Sequence, residues 1–367
     1  MPDWKTLIGS ATPPLVGLDI SSSGVRVVEL AHGGKDGLRV ERYAAEPLPR
    51  GAVVDGNIEN FDQVVDAVRR VLKKSGTRAR HAALGLPPAA VITKKIVLPA
   101  GLSEEQLEVQ VESEASQYIP FALDDVSLDF DVIGPLAGSE DDIEVMLAAA
   151  RREKIEDRVA VAEASGLKAA VMDIESYAAR AAVARLTDSL PGGAGQVIAL
   201  FQVGASATHV SVLADGVTVW EREQPFGGNS LTQDIVRAYG LAFEEAEARK
   251  KAWNPHAATA SAGDMPAGYG ADVLQPFLDS AALEVTRAMQ FFFTSTPYTK
   301  IDRIYLAGGC AMLPGLPELI GGRTRIATAV IAPFQGMAVA PGVREQQLRA
   351  DGPAFLVACG LALRRFD

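Results

Sequence analysis

Cysteine and histidine are scarce in this chain, and long apolar runs are missing. Two cysteines in 367 residues, Cys310 and Cys359, leave no disulfide framework and no thiolate metal spacing. Both sit among small and apolar residues, as buried reduced thiols do in a reducing compartment. The four histidines (His32, His81, His209 and His256) are scattered and form no ligand pair. No segment approaches the roughly 18 apolar residues that a spanning helix needs. The opening "MPDWKTLIGSATPP" has no basic region ahead of an apolar core, so no secretory signal is expected. Basic charge is also in deficit. Lys and Arg number 35 against 46 Asp and Glu, a formal net charge of −11. That balance excludes a general nucleic-acid binder. It equally disfavours electrostatic docking on an anionic bilayer, so any membrane link passes through a partner. The P-loop pattern GxxxxGK[ST] is absent, and no Ser/His/Asp or Cys/His set stands out.

What remains is an ordinary globular composition, 48% hydrophobic and 22% charged, in a chain long enough for two domains. Its main feature is a repeat. "VGLDISSSGVRVVEL" (16–30) runs from an apolar strand into Asp19, a turn with Ser21, Ser22 and Ser23, and a second strand. "VIALFQVGASATHVSVL" (197–213) aligns with it without a gap, placing Gln202 against Asp19 and Gly204, Ala205 and Ser206 in the turn. Tight turns of small residues let backbone N–H groups approach an anion. An aspartate is repelled by phosphate, so its natural part there is to hold a hydrated Mg2+. Either hairpin alone also suits a plain hydrogen-bonded turn; the repetition favours a ligand and a duplicated α/β domain.

Other segments add site candidates. "IYLAGGCAMLPGL" (304–316) ends a buried strand in Gly308 and Gly309, which permit close approach of a flat ligand or form a tight turn. "FGGNSLTQDI" (226–235) puts Gly227 and Gly228 before a helix whose N-terminus could face an anion. Glu247 and Lys250 share a helical face and could reach a ribose and base, or be solvated surface. Residues 91–167 read as a β-α-β-β-α unit inserted into the first half, with Ser103 and Gln106 as a capping signature. Residues 254–271, rich in Ala, Gly and Pro, read as a surface loop.

The ordered set of two phosphate hairpins and a later glycine motif resembles the actin-like ATPase superfamily. Within it the chain is similar to the PilM family, cytoplasmic components of type IV pilus assembly related to the cell-division protein FtsA. The stretch "VITKKIVLPAGLSEEQLEVQVESEASQYIPFALDDVSLDFDVIG" is the most diagnostic, and corresponds to the subdomain called 1C. The resemblance implies an actin-like, ribonuclease H-like duplicated two-lobe α/β fold. Residues 13–90, 168–190 and 353–367 would form the first lobe, 91–167 the 1C insert, and 195–352 the second lobe. It implies ATP with Mg2+ in the cleft of those lobes, Asp19 associated with the metal through water, and Glu175 as an acid that orients water. It also implies a scaffold that is peripheral on the inner face of the cytoplasmic membrane. There it would hold the cytoplasmic N-terminal tail of PilN and communicate with other inner-membrane pilus proteins and the motor ATPases. Homo-oligomers are open. For the peptide groove, Tyr118, Ile119, Pro120 and Phe121 form an apolar cluster after an acidic helix, or else part of the insert's core. The superfamily usually has aspartate where this chain has Gln202, so slow or absent hydrolysis is expected. A cycling ATPase that drives an assembly step is the alternative. A sugar or small-acid kinase is the more remote one, since no polar substrate pocket stands out.

Overall fold

A computed structural model describes residues 13–34, 37–191, 193, 195–253, 265–266 and 268–367. Most of the 254–271 loop, and the N-terminal stretch read for a signal, therefore lie outside the described residues. The chain divides into two units. The first comprises the chain up to Ala31, Arg42–Ala178 and Leu361–Asp367; the second comprises His32–Glu41 and Ala179–Gly360. Residues 32–41, 179–190 and 353–360, expected with the first lobe, thus group with the second.

The first unit opens on strands β1 (Leu15–Ser21), β2 (Gly24–His32) and β3 (Leu38–Pro47), β3 beginning in the other unit. A short hairpin follows, β4 (Val53–Val54) and β5 (Asn57–Ile58). Helix α1 (Phe61–Ser75) starts where the Asn60 side chain accepts from Gln63 N and stops at Gly76, which takes the left-handed conformation at φ 68°. Its valines, Val64, Val65, Val68 and Val71, face the sheet. Strand β6 (His81–Leu86) then pairs parallel with β1.

The insert carries β7 (Val91–Pro99), α2 (Glu104–Tyr118), β8 (Val126–Pro135) and β9 (Asp142–Arg151). These strands form their own antiparallel sheet, ordered β7-β9-β8. Ser103 and Gln106 close the expected capping box on α2. A separate small core lies here, built on Ile96, Leu98, Val111, Ala115, Ile119 and Leu147. The next helix, α3 (Arg152–Ala164), does not join it. Its Val161 and Ala162 pack with Val16, Leu18 and the α1 valines. The insert therefore has its own core only as far as β9, shorter than the expected 91–167. Strand β10 (Lys168–Ile174) and the first residues of α4 (Glu175–Ala184) complete this half. The C-terminal residues return to it: Arg364 pairs with Asp173 at 2.7 Å, and Arg365 donates to Leu30 O at 2.6 Å.

The second unit repeats the plan. It contains β11 (Val197–Val203), β12 (Thr208–Ala214), β13 (Val217–Gln224), α5 (Gly228–Tyr239), α6 (Phe243–Ala252) and the long α7 (Gln275–Ser295). Then come β14 (Arg303–Ala307), α8 (Leu316–Thr324), β15 (Ala327–Val330), β16 (Ala338–Val339), α9 (Glu345–Asp351) and α10 (Leu356–Leu363). Within this unit β16 pairs with Arg39 and Val40 at the start of β3. The first sheet runs β10-β6-β1-β2-β3 and the second β15-β14-β11-β12-β13. In each, the leading strand is antiparallel to the next one in sequence and parallel to its other neighbour. The two halves are thus one fold used twice. In each, parallel strands end side by side, which is where open α/β sheets bind ligands.

Candidate functional site

In the first unit the carboxyl ends of β1, β6 and β10 lie together. Asp19 lies near the carboxyl end of β1, inside its buried run, and is itself only 6% exposed. The hairpin register sets Arg26 opposite it. Arg26 Nη1 reaches Asp19 Oδ2 at 3.2 Å and donates to Ser21 Oγ at 3.0 Å. Ser21 Oγ in turn donates to Gly24 O at 2.9 Å, closing the turn over Ser22 and Ser23. Burial pushes the Asp19 carboxyl up from its ordinary value, while the charge and hydrogen bond of Arg26 and the charge of Arg158 pull it down. Glu175 begins α4 directly beyond β10 and lies over Gly85 of β6: a Cβ on Gly85 would come within 2.8 Å of Glu175 Cγ. The structure therefore brings Asp19, the serine turn and Glu175 to one end of one sheet.

In the second unit four pieces converge. Gln202 and His209 face each other across β11 and β12, the register that Asp19 and Arg26 hold in the first half. The turn carbonyls of Gly204 and Ala205 accept from Gly228 N (2.9 Å) and Asn229 N (2.8 Å) at the start of α5. Those two N–H groups are spent inside the protein, so the Gly227–Gly228 helix start does not offer them to an anion as expected. Gly227 is needed there for a different reason: a Cβ would lie 2.5 Å from Ala205 O. Ser206 is exposed, its Oγ accepting from Asn229 Nδ2 at 3.1 Å.

Glu247 and Lys250 do come to this place, but turned toward each other rather than displayed. Lys250 Nζ pairs with Glu247, donates to Gly228 O at 3.0 Å and to Thr232 Oγ1 at 2.7 Å. Burial raises Glu247, yet the charge and bond of Lys250 and the bond from Thr232 outweigh it and hold the carboxyl below its ordinary value. Gly308 directly follows β14 at φ 86°, with Val203 O only 2.4 Å from where a Cβ would be. Gly309 beside it is exposed and faces open space. Cys310 lies under this junction, its Sγ 3.4 Å from Gly204 O, and burial pushes the thiol up to about 11. It is an inert packing group, as is Cys359.

The insert presents its own surface. Tyr118, Pro120 and Phe121 are exposed. Lys94 Nζ lies 5.1 Å from the Tyr118 ring centroid, and the Arg151 guanidinium lies 4.0 Å from that of Phe121. Ile119, expected with them, is 6% exposed and belongs to the insert core.

Three participants escaped the sequence reading. Arg26 had a signal, because counting back from the Ser22–Ser23 turn sets it opposite Asp19. His209 had the same signal. It is half-buried, its two ring nitrogens lie out of reach of solvent with neither hydrogen-bonded among the described residues, and Glu221 Oε1 is at 3.7 Å. Arg158 had none.

Known proteins share this architecture. The structure of a PilM–PilN type IV pilus biogenesis complex matches with a TM-score of 0.78 and 26% identity, over 96% of this chain and 98% of that one. The ethanolamine utilization protein EutJ from Carboxydothermus hydrogenoformans shares the fold with a TM-score of 0.58 and 18% identity, covering 96% of this chain and 89% of its own. The cell division protein FtsA of Agrobacterium fabrum is 30% identical over 45% of this chain. That match spans 39% of the length of FtsA. The family model for type IV pilus assembly protein PilM matches residues 17–366. The fold is therefore actin-like, and the chain belongs to the PilM family of type IV pilus assembly proteins.

Proposed function

We propose that this chain is an ATP-binding scaffold of pilus assembly that holds the cytoplasmic N-terminal tail of PilN on its insert. The observation that carries the nucleotide half is the repeated hairpin, with Asp19 and Gln202 at one register in two sheets of one order. Ser21–Ser23 and Gly204–Ser206 are the phosphate-contacting turns, and Gly308–Gly309 receives the adenosine. A structure of the same fold, MreB5 of Spiroplasma citri, was solved bound to ADP, at a TM-score of 0.50 and 13% identity. The PilM–PilN relative supports the peptide half. PilN would keep the protein on the inner face of the cytoplasmic membrane. Among the described residues no helix is long and apolar enough to cross a membrane.

Mg2+ fits this reading through Asp19. No group of three or more His, Cys, Asp or Glu among the described residues could hold an ion on protein ligands alone. Magnesium held mainly by phosphates needs only one or two carboxylates. The ion would offset phosphate charge, and Arg26 adds a fixed positive charge beside the same carboxylate. Gln202 brings a neutral amide, a poor general base, and slow or absent hydrolysis follows. Asp19→Asn keeps the shape of the side chain and removes its charge. Equilibrium titration of ATP with Mg2+ should show at least about ten-fold weaker binding, of the order of one lost charge-assisted contact. Equal affinity in the two proteins contradicts the assignment.

A further inference from the structure

We propose that Arg158 is a positioning residue for the candidate phosphate site, acting through Glu175 and Asp19 without touching the ligand. The inference rests on the nucleotide reading above. Arg158 projects from α3, is 2% exposed, and ranks among the largest fully buried side chains. Its Nε donates to Gly85 O at 2.7 Å and its Nη2 to Gly56 O at 2.9 Å. Gly85 is the residue over which Glu175 lies, and it follows Leu84, which pairs with Leu18, the residue before Asp19, where β6 runs parallel to β1. The guanidinium therefore fastens the carboxyl end of β6, the strand between β1, which carries Asp19, and β10, which leads into Glu175.

Hydrogen bonds alone do not account for a cation here. Two carbonyl acceptors could be met by any neutral donor, whereas burying a charge is costly unless opposite charge compensates it. The negative charges acting on Arg158 are Glu175, Asp157 and Asp19. A phosphate approaching this end of the sheet meets two acids, Asp19 and Glu175. Arg26 pairs with the first, and the charge of buried Arg158 acts on both. Its charge lets a site that contains two carboxylates accept an anion.

Two substitutions separate charge from hydrogen bonding. Arg158→Lys keeps the charge, and Arg158→Gln keeps a donor but no charge. The readout is affinity for ATP with Mg2+ by isothermal titration, with folding checked by circular dichroism. The expected result is a loss of ten-fold or more for Arg158→Gln and within three-fold for Arg158→Lys. In a Glu175→Gln background the Arg158→Gln loss should shrink, since one of the acids it offsets is gone. A purely structural strut predicts equal losses for Lys and Gln and the same loss in both backgrounds, and either result overturns the inference. Should Arg158→Gln fail to fold, a folded Arg158→Lys with a ten-fold loss overturns it as well. Wild-type protein that binds no ATP overturns the nucleotide reading itself, which the other outcomes leave standing.

Discussion

Phe121→Asp will weaken binding of a synthetic PilN N-terminal tail by about 30-fold or more and leave ATP binding intact. The Phe121 ring is exposed at the end of the segment that follows α2, with Arg151 stacked over it. A large aromatic side chain left in water and held by a cation is the kind of anchor on which peptide docking depends. Aspartate removes the apolar face and sets a charge where a hydrophobic contact would form. The loss should be about 2 kcal/mol or more, some 30-fold in affinity by fluorescence anisotropy. The substitution should be tolerated by the fold, because Phe121 lies outside the insert core and the new carboxylate meets Arg151. Ile119 provides the contrast. It is buried in that core, so Ile119→Asp should unfold the insert and lose binding for a trivial reason. If Phe121→Asp binds the peptide as wild type does, the docking surface lies elsewhere.

The neighbouring glycines of the proposed adenosine motif should behave in opposite ways. Gly308→Ala forces a side chain onto a backbone at φ 86° and drives its Cβ to 2.4 Å from Val203 O, a backbone atom that cannot swing aside. Strain and clash together should cost about 2–4 kcal/mol, read as a shifted urea midpoint. Gly309→Val meets nothing within 4 Å at its Cβ, so stability should change by less than about 0.5 kcal/mol. It should nonetheless lower ATP affinity, because the added branch fills the open side on which the proposed adenosine site depends. Unchanged affinity for folded Gly309→Val would remove this motif from the site.

Both halves of the fold were legible where local chemistry is strong. The two hairpins declare themselves by apolar alternation broken at a small-residue turn, and the sheets confirm that they occupy one place in a duplicated plan. Asn60 and Gly76 mark the ends of α1, and Ser103 with Gln106 marks the start of α2. The side of the molecule that α3 joins was also readable in principle. Only Ser165, Gly166 and Leu167 separate it from β10, too short a link to leave the sheet that β10 enters. Other features depend on tertiary packing that no spacing encodes. Glu247 and Lys250 sit on one helical face in any reading, yet their direction is set by Gly228 and Thr232 of a different helix. Arg158 comes to Gly85 and Gly56 from far along the chain, and its neighbours in sequence read as an ordinary charged helix.

The same packing explains why one half-site looks built for charge and the other does not. Asp19 with Arg26 forms an ion pair, whereas Gln202 with His209 offers an amide and an imidazole at the matching register. A duplicated fold has kept the position and changed the chemistry, and that asymmetry underlies the expectation of binding without turnover. The most direct test follows one sample in two ways, by titrating ATP with Mg2+ to equilibrium and by measuring ADP over several hours. The account predicts saturable ATP binding with almost no ADP formed. Steady turnover that disappears in Asp19→Asn would contradict it, and would make the protein a cycling ATPase with Glu175 as the group that orients water.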